Sequence, residues 1–298
     1  MGGSDQAAHF HFHRQQQTMG VGQLSERADE LARAWGVAVE RTLETASSLV
    51  AFGRRGAQPV VLKVSRATGD EWRSGEVLEA FGGRASVRVY AQVGGAALLE
   101  RASPGTPLAK LSLGGRDEEA TEILAEVIRR IHHPRATPGV FATVRDWERG
   151  FGRYVAGGDG QIPPRLVGQG RRLYAELCST QREPALLLHG DLQHYNVLFD
   201  ARRGWLAIDP KGVAGEIEYE IGAALRNPYE RPTLFDSPAA VERRLRRYES
   251  VLKLDAGRAL AWAFAQAVLS AIWTVEDGGA VDEQNPSLIL ANAIRPLL

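Results

Sequence analysis

Residues 186–209 read LLLHGDLQHYNVLFDARRGWLAID. An apolar run, Leu186 to Leu188, stops at a polar loop, and a second run, Val197 to Phe199, follows it. A third, Trp205 to Ile208, ends on Asp209. Short apolar runs bounded by polar clusters predict strand, loop, strand, turn and strand. The loop carries Asp191 and Asn196, and Asp209 closes the third strand. Phosphoryl transfer needs a carboxylate beside the incoming hydroxyl, oxygen ligands for Mg²⁺ and positive charge on the phosphates. Asp191 suits the proton acceptor. The Asn196 and Asp209 oxygens are hard donors that suit Mg²⁺.

The part before this stretch supplies the positive charge. Val61-Leu62-Lys63-Val64 places Lys63, one of four lysines in the chain, inside an apolar strand. Lysine is rarely buried without a partner. Glu76, on the following predicted helix, is the expected partner, with Glu71 and Glu79 as alternatives; an acid at Glu71 is already favoured by the helix start. Around Lys63 the chain reads as a helix over 24–38, an extended stretch over 41–52 and a strand over 60–64. A helix over 71–81 and strands over 86–91 and 96–100 follow. This is an α+β pattern of helix, hairpin, helix, hairpin. No Walker sequence is present, so a P-loop is not expected. Thr45-Ala46-Ser47-Ser48 lies between the first two strands, where Ser47 and Ser48 could meet phosphate through backbone N–H and hydroxyl groups. Ser103 to Pro107 reads as a stiff connection between lobes. The expected division is a leader over 1–23, a nucleotide-binding lobe over 24–101 and a mainly helical catalytic and substrate lobe over 102–298.

Composition narrows the classes. Lys plus Arg and Asp plus Glu both number 36, for a net charge of zero in 298 residues, which argues against nucleic acid as partner. Cys178 is the single cysteine, so no internal disulfide forms, as suits a reducing cytoplasm. His9, His11 and His13 read as a tag or disordered leader rather than a signal sequence. The apolar stretch Ala259 to Val275 is short for a membrane span and reads as a core helix. No protein partner is implied.

The Asp191, Asn196 and Asp209 pattern, preceded by His189-Gly190, resembles the aminoglycoside phosphotransferase branch of the protein-kinase-like superfamily. The stretches 205–216, 218–228, 266–270 and 273–279 are similar to its streptomycin 6-phosphotransferase and hydroxyurea kinase family. The resemblance implies a two-lobe kinase-like fold, ATP with Mg²⁺, and a small-molecule hydroxyl as acceptor. It implies that Leu99 (carbonyl) and Arg101 (amide) face the adenine, and that His189 and Glu220 support the catalytic loop. It places Lys211 in the active site, either on the transferred phosphate or paired with Glu216. Arg226 and Asn227 become candidates for the acceptor pocket. Streptomycin carries two guanidinium groups, so aromatic and acidic residues such as Trp273, Glu276 and Asp277 are candidates for binding it. Hydroxyurea, another sugar or cyclitol, and nucleotide binding without catalysis remain alternatives. A protein kinase is disfavoured by the lack of an Ala-Pro-Glu motif. A metal hydrolase using His189, His194 and Asp191 lacks the zincin spacing.

Overall fold

The computed structural model describes residues 18–298 except 132, 138 and 158; His9, His11 and His13 lie outside the described residues. The first half consists of α1 (Val21–Ala34), β1 (Ala38–Glu44), β2 (Ser48–Arg55), β3 (Gln58–Ser65), α2 (Ser74–Phe81), β4 (Val89–Val93) and β5 (Ala96–Glu100). The strands form one antiparallel sheet in the order β1-β2-β3-β5-β4. Strand alternation decides its two faces. Val60, Leu62 and Val64 of β3 pack with Leu24, Ala28 and Ala32 of α1. Val61, Lys63 and Ser65 therefore point to the opposite face. Lys63 is central, opposite Val50 on one side and Ala97 on the other.

Three local expectations are corrected. The extended stretch over 41–52 is two strands, because the Thr45 hydroxyl accepts from the Ser48 amide at 3.0 Å and turns the chain without glycine or proline. The predicted helix over 71–81 begins as a single 3₁₀ turn over Asp70–Arg73 and becomes α-helical at Ser74. The connection around Ser103 to Pro107 contains a strand, β6 (Pro104–Pro107), paired with the second apolar run of the opening stretch, around Leu198 to Asp200. Its prolines are tolerated because β6 is an edge strand, and Gly105, at φ +75°, accommodates a register shift.

After β6 come α3 (Ala109–Leu113), α4 (Asp117–Ile131), β7 (Ala142–Thr143), α5 (Val144–Trp147), α6 (Arg149–Gly157) and α7 (Pro164–Ser179). Then follow β8 (Leu186–Leu188), β9 (Val197–Asp200), β10 (Gly204–Ala207), β11 (Val213–Gly215), α8 (Ile221–Leu225), α9 (Pro238–Leu252), α10 (Ala256–Glu276) and α11 (Pro286–Ile294). The helices α4, α7, α9, α10 and α11 supply most of the large core. The apolar stretch seen in the sequence is α10, which is long and apolar enough to cross a membrane but is largely buried among these helices. Two small sheets, β10-β9-β6 and β7-β11-β8, sit at the edge of this core and frame the polar loop. A compact apolar cluster of Leu78, Val87, Ala97, Leu99 and Leu206, with Val61 and Ile208 against it, joins the two halves.

Candidate active site

The loop from His189 to Asn196 links β8 to β9, and it is shaped from beneath. Glu220 is fully buried, and its carboxylate accepts the His189 amide at 2.9 Å and the Gly190 amide at 3.1 Å. Burial alone would raise this carboxyl; the hydrogen bond and charge of His133 lower it, and the loop amides add to that. The carboxylate thus stays ionised and anchors the loop. Gly190 has φ +82°, and a side chain there would press on Val213 and Trp147. Glycine is the residue that takes this turn without strain. The His189 ring nitrogen Nε2 is 2.9 Å from the Ile208 carbonyl, and the Ile208 amide donates to the Asn196 carbonyl at 2.9 Å. These bonds bring Asn196 and Asp209 together from different strands. Asn196 also donates its side-chain amide to the Asp191 carbonyl at 2.9 Å. Its amide nitrogen is thereby turned toward the loop, while its oxygen accepts no hydrogen bond among the described residues.

Lys63 joins the two halves chemically. Its ammonium donates to Glu71 at 2.8 Å and to Asp209. Burial lowers the affinity of Lys63 for its proton, but the charges of Asp209 and Glu71 outweigh that and raise it. The lysine is therefore cationic. The expected partner Glu76 is corrected to Glu71. The 3₁₀ turn carries Glu71 against β3, where the Ser65 hydroxyl donates to its carbonyl. Glu76, in the first turn of α2, is taken by Arg73 instead.

The other expected residues divide clearly. Arg226 does face the loop that bears Asp191: its guanidinium lies 4.0 Å from the Asp191 carboxylate and donates to Gln266 at 3.1 Å. Asn227 does not line a pocket; it turns inward, donating to the Ala223 carbonyl and accepting from Arg244 at 2.7 Å. Lys211 does not pair with Glu216, which is engaged by Arg258 and Trp262. Its ammonium instead lies 5.3 Å from the Trp273 ring. Glu276 is held by Arg153 through two 2.8 Å hydrogen bonds, and Asp277 caps the end of α10. Ser48 is buried and its hydroxyl is shared with Thr45, whereas Ser47 is exposed. Leu99 belongs to the cluster between the halves, and the Arg101 side chain bonds Glu40 at 2.7 Å. His194 is buried with neither ring nitrogen bonded among the described residues, and burial pushes it down to about 3. It is a neutral packing group, and no cluster able to replace the kinase reading with a metal hydrolase exists among the described residues.

Two buried polar residues carried no role in the sequence reading. Gln266 holds Arg226 from within apolar α10, so closely that a side chain at Gly222 would collide with it. Arg244 is 2 % exposed; it donates to the Leu225 and Asn227 carbonyls and pairs with Asp117. It lies on the buried face of α9 with Val241, Leu245 and Tyr248. A charged residue at that helical spacing is the signal that could have found it.

This arrangement of lysine, loop aspartate, asparagine and strand-end aspartate between an antiparallel sheet and a helical half defines a kinase-like phosphotransferase of small molecules. The chain belongs to the aminoglycoside/hydroxyurea antibiotic resistance kinase family, whose model matches residues 14–278. It is 35 % identical over 241 residues to streptomycin 3''-kinase of Klebsiella pneumoniae, covering 79 % of this chain and 87 % of that one. It is 33 % identical over 279 residues to hydroxyurea phosphotransferase of Kitasatospora aureofaciens, covering 86 % and 74 %. The fold matches aminoglycoside phosphotransferase APH(4)-Ia, solved with ADP and hygromycin B, at a TM-score of 0.62 and 19 % identity, over 91 % of this chain and 97 % of that one.

Proposed function

We propose that this enzyme moves the γ-phosphate of ATP to a hydroxyl of an aminocyclitol of the streptomycin type. The observation that carries the reading is the convergence of Lys63, Asp209 and Asn196 beside Asp191, with Arg226 4.0 Å from its carboxylate. The oxygen donors of Asn196 and Asp209 fit Mg²⁺, which when bound neutralises phosphate charge. The apolar cluster containing Leu99 and Leu206 suits an adenine ring, which by the family resemblance the Leu99 carbonyl and the Arg101 amide would face. Lys63, fixed by Glu71, holds the α- and β-phosphates. Ser47, rather than Ser48, covers them, because the Ser48 hydroxyl is already engaged.

Asp191 accepts the proton of the acceptor hydroxyl as its oxygen bonds to the γ-phosphorus. The bond to the β-phosphate oxygen breaks and ADP leaves. Arg226 orients the Asp191 carboxylate, and Lys211 offsets charge on the transferred group. Dependence on ATP suits a cytoplasmic enzyme. Hydroxyurea is the second acceptor to consider, because the relative bearing that name aligns with 86 % of this chain. The test is ADP release, with product mass, on streptomycin, hydroxyurea and simple sugars. A phosphorylated streptomycin supports the reading. ATP binding with no acceptor turned over contradicts it and favours a nucleotide-binding protein without catalysis.

A further inference from the structure

The region around Trp273 and Glu276 offers an aromatic face and a carboxylate, yet it is poorly suited to a cation. Glu276 is neutralised by Arg153, and Lys211 lies over the Trp273 ring. A cationic acceptor approaching there would meet an ammonium.

A different group combines the required chemistry. Tyr195, immediately before Asn196 in the catalytic loop, and Tyr229 have ring centroids 5.5 Å apart at 31°. The Tyr195 hydroxyl donates to the Glu230 carboxylate. Tyr229 is 54 % exposed, a large aromatic face left open beside the catalytic loop. Glu230 is exposed and has no cationic partner within salt-bridge distance among the described residues.

The same two segments meet twice: Asp191 with Arg226, and, four residues further along each, Tyr195 with Glu230. Four residues span at most about 14 Å even fully extended. The aromatic pair and its carboxylate therefore lie within one multi-ring aminocyclitol's length of Asp191. The segment carrying them is fixed from behind, since Arg244 clamps the Leu225 and Asn227 carbonyls.

We infer that Tyr195, Tyr229 and Glu230 form a subsite for a guanidinium group of the acceptor, the ring faces stacking on its plane and Glu230 accepting its N–H groups. This rests on the aminocyclitol reading above. Glu230 exchanges part of its bond to Tyr195 for the charged donor, and Tyr195 keeps the carboxylate aimed. A neutral acceptor gains nothing from the subsite.

The experiment is calorimetric titration of the full chain with streptomycin, comparing wild type with Tyr229→Ala and Glu230→Gln. Hydroxyurea is the neutral control, and ATP affinity is measured on each variant. The expected result is streptomycin binding that weakens roughly tenfold in each variant, with ATP affinity unchanged. Absence of streptomycin binding to wild type, or equal affinity in all three proteins, overturns the inference. Phosphate transfer measured in parallel separates the two claims. Transfer to streptomycin with unchanged variant affinities sinks the subsite alone. Weakened variant binding without any transfer supports the subsite and contradicts the catalytic reading.

Discussion

Glu71 and Glu76 are five positions apart, and their roles differ because a 3₁₀ turn precedes the helix. Glu71 is carried onto Lys63, while Glu76 bonds Arg73. Glu71→Gln removes a charge-assisted bond from the lysine, so KM for ATP should rise about tenfold. Glu76→Gln should leave it nearly unchanged; steady-state kinetics with varied ATP distinguish the two, and the reverse order would contradict the assignment. Asp191, Asn196, Asp209 and Lys63 stood out in the sequence because Lys63 interrupts an apolar strand and the other three sit in polar breaks beside apolar runs, and the structure brings Lys63 onto Asp209 and Asn196 onto the Asp191 carbonyl. The Lys63 partner did not stand out, because an acid near a helix start is explained equally well by the helix dipole. Trp273 and Glu276 had suitable side chains, but sequence does not reveal that Lys211 and Arg153 already engage them.

The β1–β2 connection shows how an element can replace glycine chemistry with hydrogen bonds. Arg66, just past β3, donates its amide to the Ser47 carbonyl at 2.7 Å and its guanidinium to the Ala46 carbonyl at 3.2 Å, and pairs with Glu44. Thr45 and Ser48 share a hydroxyl contact beneath. The loop is thereby strapped to the strand that bears Lys63. Arg66→Ala should loosen it, raising KM for ATP several-fold while KM for the acceptor holds, with faster amide exchange confined to residues near 45–48; unchanged exchange would contradict the strap. The extended character of residues 41–52 was readable in the sequence, but not its division into two strands. The turn between β1 and β2 was not, because Thr45 makes it through a side-chain bond. β6 was hidden for a related reason: prolines and glycine signal a connection, and only the edge position beside β9 reconciles them with a strand.

Across the whole molecule, a buried ion pair ties α9 to α4 behind the segment that carries Arg226. Arg244 reaches from α9 to Asp117 at the start of α4 and to the carbonyls flanking Arg226. Breaking such a pair on one side costs about 3–5 kcal/mol, so Arg244→Met should lower the urea midpoint markedly. Burial alone would raise the Asp117 carboxyl, but the bonds from Arg244 and Ser112 hold it below its ordinary value of 3.8. A depressed folded-state carboxyl contributes stability above that ordinary value and loses it as pH falls through the folded one. Wild type should therefore lose stability below about pH 4, and Asp117→Asn should begin lower at pH 7 and fall less on acidification. Urea midpoints across pH test this, and parallel curves would contradict it. The kinase-like α+β fold class was legible because strands and hairpins give way to a mainly helical second half, whereas a link between residues 117 and 244 is invisible without the fold. The central claim is that one carboxylate, that of Asp191 on the loop braced by Glu220 and faced by Arg226, accepts the proton. Asp191→Asn keeps the shape of that group and removes its basicity. The account predicts that this variant binds ATP as wild type does and transfers phosphate to streptomycin at least about a hundredfold more slowly; full activity in the variant would contradict it.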